Sequence, residues 1–163
     1  MTTDSVMRVA RIVVIEALYE SETSDHPVAV AFERRLADAV ESDDRMAKRA
    51  GPREFARRAI AGIEDCHAAI DAYITDAAPK YPIGTLAIVD RNILRLAIWE
   101  LLSENSAVAA VVNEAVEMAR RYGAESSPGF VNGVLRTISQ RIATERATPV
   151  TAEPPTSQPS HEE

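Results

Sequence analysis

The stretch of residues 85–102, TLAIVDRNILRLAIWELL, constrains the fold of this chain most strongly. Its apolar residues recur at intervals of three and four, which is the spacing of one face of an α-helix. That face would carry Leu86, Val89, Ile93, Leu96, Ala97 and Leu101. A half-buried strand would alternate apolar and polar residues, and no segment of the chain does so. The sequence therefore predicts an all-α protein.

The remaining segments also show helical spacing. A first helix is predicted from about Thr3 to Glu22, and a second begins near Pro27. Beyond the acidic ESDD stretch and Gly51–Pro52, a long third helix is predicted. Its apolar face would carry Phe55, Ala59, Ile63, Cys66, Ile70 and Ile74.

Two more helices follow the segment of residues 85–102. The stretch VVNEAVEMARRYG is predicted as a helix that ends at Gly123, with Val112, Ala115, Val116 and Ala119 facing inward. The last helix begins around Ser127, which can cap it, and Pro128, which suits a first helical position, and it ends near Ala147.

Composition predicts one folded domain followed by a tail. Of 163 residues, 46% are hydrophobic and 26% charged, so residues 1–147 can bury a substantial core. Residues 148–163, TPVTAEPPTSQPSHEE, contain four prolines and no apolar periodicity, which is typical of a disordered tail. No apolar run approaches the roughly 18 residues of a membrane span, and no signal segment is recognisable, so we expect a cytoplasmic protein.

Charge permits nucleic-acid binding only through local patches. The net charge is −7, and such a field repels phosphate overall. Sixteen of the 18 basic residues are arginines, however, whose planar forks suit phosphate and carboxylate groups. Nucleic acid is therefore compatible with this chain if a few arginines share one surface.

No catalytic residue, metal ligand or cofactor is predicted. The sequence contains no Gly-rich phosphate loop, no nucleophile elbow and no zinc-binding pair of histidines. Cys66 and His67 are adjacent, but neighbouring residues of a helix point about 100° apart. We expect a buried thiol beside a surface imidazole, and a single cysteine excludes an internal disulfide.

The first helix has two distinct sides. Val6, Val9, Ala10, Val13 and Ala17 cover one side, whereas Arg8, Arg11, Ile15 and Tyr19 fall on the other. Guanidinium groups bind backbone phosphates and an aromatic ring stacks on a base, so the second side has the composition of a single-stranded RNA contact. The alternative is a solvated face that includes one tyrosine.

Phe130 stands apart from the helix that contains it. In SSPGFVNGVL the core stripe is Val131, Val134 and Leu135, and Phe130 falls roughly 90° from its centre. Gly129 beside it would let RNA or another backbone approach the helix start, where N–H groups favour phosphate. Phe130 either contacts such a ligand or fills a gap between the two helical bundles.

Three segments together resemble the family of the transcription antitermination factor NusB, over roughly Met7 to Ile138. The resemblance depends on short motifs that occur in the family's order. They are Ala17-Leu18-Tyr19, Asp90-Arg91, Leu94-Arg95, Glu100-Leu101, Asn113-Glu114-Ala115 and Phe130-Val131-Asn132-Gly133-Val134-Leu135. The resemblance implies two small helical bundles with about seven helices, no catalysis, and binding of boxA-type single-stranded RNA together with NusE, a ribosomal small-subunit protein, in the transcription elongation complex. It leaves a homodimer open.

The resemblance also implies functional residues. Asp90 would bind NusE. The RNA surface would comprise Arg8, Arg11, Tyr19, Arg121, Tyr122, Ser126, Phe130 and Asn132. Family members often begin with several arginines, whereas this chain has only Arg8 and Arg11 there, and Glu16 stands where glutamine is common. We therefore expect reduced RNA affinity.

The sequence leaves alternatives open for several residues and for the function. Asp90 would form an ion pair with a nearby arginine if it does not bind a partner, and Glu100, on the buried stripe, is interpreted as structural and bonded to an arginine or a helix end. A basic cluster around the second loop either compensates for the missing arginines or is a solvated face. It comprises Arg45, Lys48, Arg49, Arg53, Arg57 and Arg58. The rival functions are a helical protein-binding adaptor and a stand-alone module of the type that precedes a ribosomal RNA cytosine methyltransferase.

Overall fold

The computed structural model describes residues 3–148, with side chains from Ser5 onward. Within this range the chain forms eight α-helices and one 3₁₀ turn, and no strand, which confirms the predicted all-α class. The helices are α1 (Thr3–Thr23), α2 (Val28–Ser42), α3 (Asp44–Lys48), α4 (Ala50–Asp65), α5 (His67–Ala77), α6 (Ile88–Ser103), α7 (Val108–Tyr122) and α8 (Ser127–Ala147), and the 3₁₀ turn is Ile83–Thr85.

The helices form two small bundles around a continuous core. In the N-terminal bundle α1 packs against α2, α3 and α4, and in the C-terminal bundle α6, α7 and α8 pack against one another with α5 beside α6 and α8. Helices α1 and α4 also contact α6, so α6 joins the two bundles.

Helix α6 is buried on nearly all sides rather than on one stripe. Ile93, Leu96, Ala97 and Leu101 face the core as expected, but buried side chains also occupy the rest of its surface. These additional buried residues include Leu94, Arg95, Ile98, Trp99 and Glu100. A helix that is apolar around its circumference lies in the centre of a fold, and that position places polar residues such as Glu100 inside the protein.

The structure corrects two predicted boundaries. The long third helix is interrupted at Cys66, which has φ −107° and ψ 17° and separates α4 from α5. The sequence contains neither glycine nor proline at this break, and the apolar spacing continues across it, so the pattern predicted one uninterrupted helix. Cys66 is exposed rather than buried. The acidic loop also contains α3, whose N-cap is the Asp43 side chain accepting a hydrogen bond from the Arg45 backbone at 2.9 Å.

The first helix buries more of its surface than the wheel of apolar residues indicated. Ile15, placed on the outer side with Arg8 and Arg11, is buried. The reason is that α1 has neighbours on several sides, so a division into one buried and one solvated side is wrong.

The predicted tail lies outside the described residues except for Thr148. Among residues 3–148, no helix is long and apolar enough to cross a membrane.

Candidate nucleic-acid interface

Five of the eight residues predicted to contact RNA line three surface clefts. One cleft contains Arg8 and Arg11, a second contains Tyr19 and Tyr122, and a third contains Phe130. Arg121 and Ser126 are exposed near the ends of α7 and α8, and Asn132 is half-buried. The three clefts present different chemistry.

The first cleft is polar, and its arginines are engaged by carboxylates. Arg8 forms a two-pronged ion pair with Glu114 of α7, with nitrogen–oxygen distances of 2.6 and 2.9 Å. Arg11 donates from Nε to Glu100 of α6 at 2.9 Å, and its guanidinium lies 5.2 Å from the centre of the Phe55 ring. Both arginines therefore join α1 to the C-terminal bundle.

The Arg11–Glu100 pair lies inside the protein. The side chain of Glu100 is 2% exposed and that of Arg11 is 15% exposed. Burial raises the pKa of Glu100, and the charge and hydrogen bond of Arg11 oppose that rise. The interpretation of Glu100 as a structural carboxylate bonded to an arginine fits this geometry, and the arginine is one that the sequence had assigned to the RNA face.

The second cleft is mainly apolar and contains two exposed tyrosines. Tyr19 of α1 and Tyr122 at the end of α7 line a cavity of about 300 Å³. The other lining residues are Ile12, Ile15, Glu16, Arg35 and Val89. The Nη1 atom of Arg35 on α2 lies 3.4 Å from Oε2 of Glu16, so Glu16 forms an ion pair with α2. This cleft offers aromatic faces with a paired charge at one edge.

Arg121 shares an acidic partner with its neighbour. Glu117, one turn earlier on α7, accepts hydrogen bonds from Arg120 at 2.5 Å and from Arg121 at 3.3 Å. These two hydrogen bonds lower the pKa of Glu117. Both arginine side chains are exposed and Glu117 is half-buried, so this pairing is weak and a phosphate can compete for either arginine.

Asp90 lies under the start of α8 rather than on an open surface. It is 9% exposed, and its Oδ2 accepts a hydrogen bond of 3.0 Å from the Ser127 hydroxyl. The Ser127 oxygen also accepts from the Ala124 backbone at 2.9 Å, so Ser127 ties the α7–α8 loop to α6 and does not cap α8. A side chain at Gly123 would approach the Ser127 oxygen to 2.6 Å, which explains the glycine.

The ion pair proposed for Asp90 as an alternative is not formed. The arginines that follow on α6, Arg91 and Arg95, bind Glu22 of α1 instead, and Arg95 also binds Asp71 of α5. The Oδ1 atom of Asp90 is buried and accepts no hydrogen bond from the described residues. Asp90 therefore has one buried carboxylate oxygen without a hydrogen bond from the described residues, at the junction of α6 and α8.

The third cleft contains Phe130 and an aromatic residue that the sequence analysis missed. Phe130 is half-buried and packs partly against the core. Its ring meets the exposed ring of Tyr81 edge to face, with centroids 5.7 Å apart and planes at 78°. Tyr81 lies in the PKYPIG loop, where no periodicity draws attention to it. An aromatic residue flanked by turn residues was the available signal.

The basic cluster near the second loop is mostly engaged within the chain. Five of its six cations contact oxygen atoms of neighbouring residues. Arg45 contacts Asp43 and Ser5, Lys48 contacts Asp44, Arg53 contacts the Met46 and Ala47 carbonyls, Arg57 contacts Glu33, and Arg58 contacts Glu104. These cations are therefore mostly paired within the protein. This favours the interpretation of the cluster as a solvated face over the interpretation that it compensates for the missing N-terminal arginines.

Neither Cys66 nor any acidic cluster forms a metal centre in the described part. No group of three or more histidine, cysteine or acidic side chains is arranged to hold a metal ion among residues 5–148. His67 contacts Asp71 at 3.6 Å, on its own helix, and not the thiol of Cys66.

Comparison with known proteins identifies the family. Residues 8–140 match the family model of the NusB family. The chain is 38% identical over 139 residues to the transcription antitermination protein NusB of Chloroflexus aggregans, which covers 83% of this chain and 88% of that protein. It is 35% identical over 137 residues to the NusB protein of Dehalococcoides mccartyi, with 83% and 91% coverage.

Solved structures agree with this assignment. The fold matches T. maritima NusB with a TM-score of 0.72 at 35% identity, covering 82% of this chain and 90% of that one. A chain from the structure of antitermination factors NusB and NusE in complex with dsRNA matches with a TM-score of 0.72 over 84% of this chain and 98% of that one, and at 24% identity this likeness shows the fold alone. The resemblance drawn from the sequence motifs is confirmed, and the chain belongs to the NusB family.

Proposed function

We propose that this chain is a transcription antitermination factor that binds boxA-type single-stranded RNA together with NusE and promotes processive transcription of ribosomal RNA operons within the elongation complex. Its family membership over residues 8–140 carries the proposal. A structural relative has been solved as a complex of NusB and NusE with dsRNA, which supports the same pair of partners for this chain.

Aromatic rings that line the clefts are the features of this surface that suit RNA best. Tyr19, Tyr122 and Phe130 lie beside open clefts, and unpaired bases stack on such rings. Arg121 and Ser126 lie on exposed parts of α7 and of the loop before α8, where they can reach phosphate oxygens. Asn132 shares a hydrogen bond with Arg136 at 3.2 Å, so an amide and a guanidinium are presented together.

Arg8 and Arg11 contribute to RNA binding in different ways. Arg8 lies at the rim of its cleft, where a phosphate can replace the carboxylate of Glu114. Arg11 is held by the buried Glu100, so removing Arg11 from this partner would strand a carboxylate inside the protein. We propose Arg8 as a phosphate contact formed by exchange, and Arg11 as a residue that positions α1.

Asp90 is proposed as the NusE contact. Its Oδ1 is buried and accepts no hydrogen bond from the described residues, so a NusE donor can reach it only if the start of α8 shifts on binding. An Asp90→Lys substitution would place a cation at a 9% exposed position and confuse folding with binding. Asp90→Asn keeps an acceptor for Ser127 and removes the charge. We expect Asp90→Asn to weaken NusE binding with unchanged helicity, whereas an unfolded variant would assign Asp90 to the fold alone.

The deciding experiment is a titration of labelled boxA-type RNA with and without NusE. RNA binding that is strengthened by NusE supports the proposal. Binding of NusE without any effect on RNA supports a protein-binding adaptor. A scrambled RNA of the same length and composition is the control, because purely electrostatic binding would not distinguish it from boxA.

The adaptor is retained as a second candidate because of one observation. The arginines expected to bind phosphate, Arg8 and Arg11, are both engaged by carboxylates of this chain. If their exchange with phosphate does not occur, this surface has few cations for RNA and its apolar clefts would serve a protein partner.

A further inference from the structure

The cleft beside Phe130 is formed by two different parts of the C-terminal bundle. One wall is the segment from Ala77, the last residue of α5, to Tyr81, and the other is the first part of α8. The α8 wall comprises Gly129, Phe130, Gly133 and Val134. The volume is about 330 Å³, within the range of small-ligand sites, which is about 300–1,000 Å³.

Tyr81 is held in place although its ring is exposed. The side chain is 55% exposed, while the Tyr81 backbone donates a hydrogen bond of 3.0 Å to the Ala78 carbonyl. Pro79 and Pro82 flank the residue and restrict the backbone further. The ring is therefore presented by an ordered turn, which reduces the entropy lost when a ligand stacks on it.

The glycines of the α8 wall have no packing role within the described part of the chain. A β-carbon added at Gly129 or at Gly133 would meet nothing within 4 Å. At Gly133, in the interior of α8, alanine would favour the helix over glycine by up to about 1 kcal/mol. The two positions are one helical turn apart, so they leave the same strip of α8 open beside the Phe130 ring.

We infer that Tyr81 and Phe130 together bind two consecutive unstacked bases of single-stranded RNA, with Tyr81 as an RNA-binding residue additional to those implied by the family resemblance. The inference rests on the proposed RNA-binding function. Because the ring planes meet at 78°, they cannot sandwich a single base, and each ring offers its own face.

The surrounding charges are compatible with this occupant. Lys80, next to Tyr81, is exposed and can approach the phosphate between the two bases. The nearby carboxylate of Asp76 at the end of α5 is paired with Arg141 of α8 at 2.8 Å, which offsets its repulsion of RNA. Tyr81 and Phe130 line the same cleft, so one RNA strand can contact both rings.

Three variants test this inference in the full chain, with boxA-type RNA as the probe. Tyr81→Ala should weaken RNA binding by about 5-fold to 150-fold, the range for loss of one stacked base, with the salt dependence unchanged. Tyr81→Phe retains the ring and should bind as the wild type does. Gly133→Ala should raise the unfolding temperature through its helix preference yet weaken RNA binding, because its methyl group enters the cleft.

The outcomes separate this inference from the proposed function. If Tyr81→Ala binds RNA like the wild type while Phe130→Ala does not, RNA binding stands and the role of Tyr81 is refuted. If Tyr81→Ala impairs NusE binding but leaves RNA binding intact, the cleft belongs to the protein partner and the inference is also refuted. Wild-type protein that binds no boxA-type RNA, with or without NusE, would refute both.

Discussion

The first cleft, with Arg8 and Arg11 (the arginine cleft), and the third cleft, with Phe130 and Tyr81 (the aromatic cleft), both contain residues that were expected to contact RNA. Their side chains differ in how they are paired within the protein. Arg8 and Arg11 are each engaged by a carboxylate of the C-terminal bundle. Tyr81 and Phe130 contact each other edge to face, and their other ring faces lie beside an open cleft. The cations are largely used to hold α1 in place, whereas the rings remain available.

This difference shows that residue type alone does not define a binding surface. A guanidinium near the N-terminus counts toward phosphate binding only if its present partner is weaker than the phosphate. Glu114 is half-buried at the cleft rim, and Glu100 is deep in the protein, so the two arginines differ in how readily they exchange partners.

The largest expected effect is on stability, from Arg11→Ala. The substitution leaves Glu100 buried without its ion partner, and we expect a loss of roughly 3–5 kcal/mol in the free energy of unfolding. Since burial raises the pKa of Glu100, the loss should grow as the pH rises above 4.5, its ordinary value, and shrink at lower pH where the carboxyl group is protonated. Denaturant titrations at several pH values measure this.

A double variant provides the control for that experiment. Adding Glu100→Gln to Arg11→Ala removes the stranded charge and should recover part of the lost stability. A single Arg11→Ala variant that loses less than about 1 kcal/mol at pH 7 would show that Arg11 is not needed by the fold and would erase the contrast with the aromatic cleft.

The next effect is on RNA affinity, from Phe130→Ala. Loss of one stacking ring should cost on the order of 1–3 kcal/mol of binding free energy with the salt dependence nearly unchanged. Because Phe130 is only half-buried, the loss of stability should fall below the 3–5 kcal/mol typical of a buried phenylalanine. Phe130→Tyr keeps the ring and serves as control. A destabilised protein with undiminished RNA affinity would assign Phe130 to the core.

Local sequence patterns predicted part of the fold and of the candidate site, but not the long-range contacts. The helical class, most helix bounds and the off-axis position of Phe130 followed from apolar spacing and helix-end residues, which are local signals. The pairs Arg8–Glu114 and Arg11–Glu100 join residues 106 and 89 positions apart, so no local pattern indicates them. Tyr81 was missed because a loop residue has no periodicity against which to stand out.

A smaller effect is expected from Glu114→Gln, which tests whether Arg8 can exchange partners. The substitution preserves size and removes the charge that competes with phosphate. RNA affinity should rise by about two- to fivefold, because phosphate no longer competes with a carboxylate for Arg8, and the slope of log affinity against log salt should steepen by at most about 0.7, the value of one single-strand phosphate contact. Glu33→Gln, which removes the partner of Arg57 elsewhere, is the matched control. Unchanged affinity would mean that Arg8 does not reach RNA.

The smallest effect is on the pH dependence of stability, from Glu20→Gln. Glu20 of α1 is a further charged residue that is paired within the protein. A hydrogen bond with His26, together with bonds from Arg34 and Arg35, lowers the pKa of Glu20 from 4.5 to about 2. The folded state thus favours the carboxylate, and its stabilisation is complete above pH 4.5 and is lost as the pH falls toward 2. The unfolding-temperature difference between wild type and Glu20→Gln should shrink over that interval. Glu16→Gln is the control, because Glu16 is exposed and Arg35 is its one ion partner among residues 5–148.

The most direct test of the contrast between arginines and rings is the salt dependence of RNA binding by the wild-type chain without NusE. Each phosphate contact with a single strand contributes about −0.7 to the slope of log affinity against log salt. With Arg11 held by the buried Glu100, Arg8 reaching phosphate only by exchange with Glu114, and the rings supplying most contacts, we predict a slope no steeper than about −2, equivalent to about three phosphates. A slope of about −4 or steeper, equivalent to six phosphates, would contradict this account and show that cations rather than rings supply most of the RNA contacts.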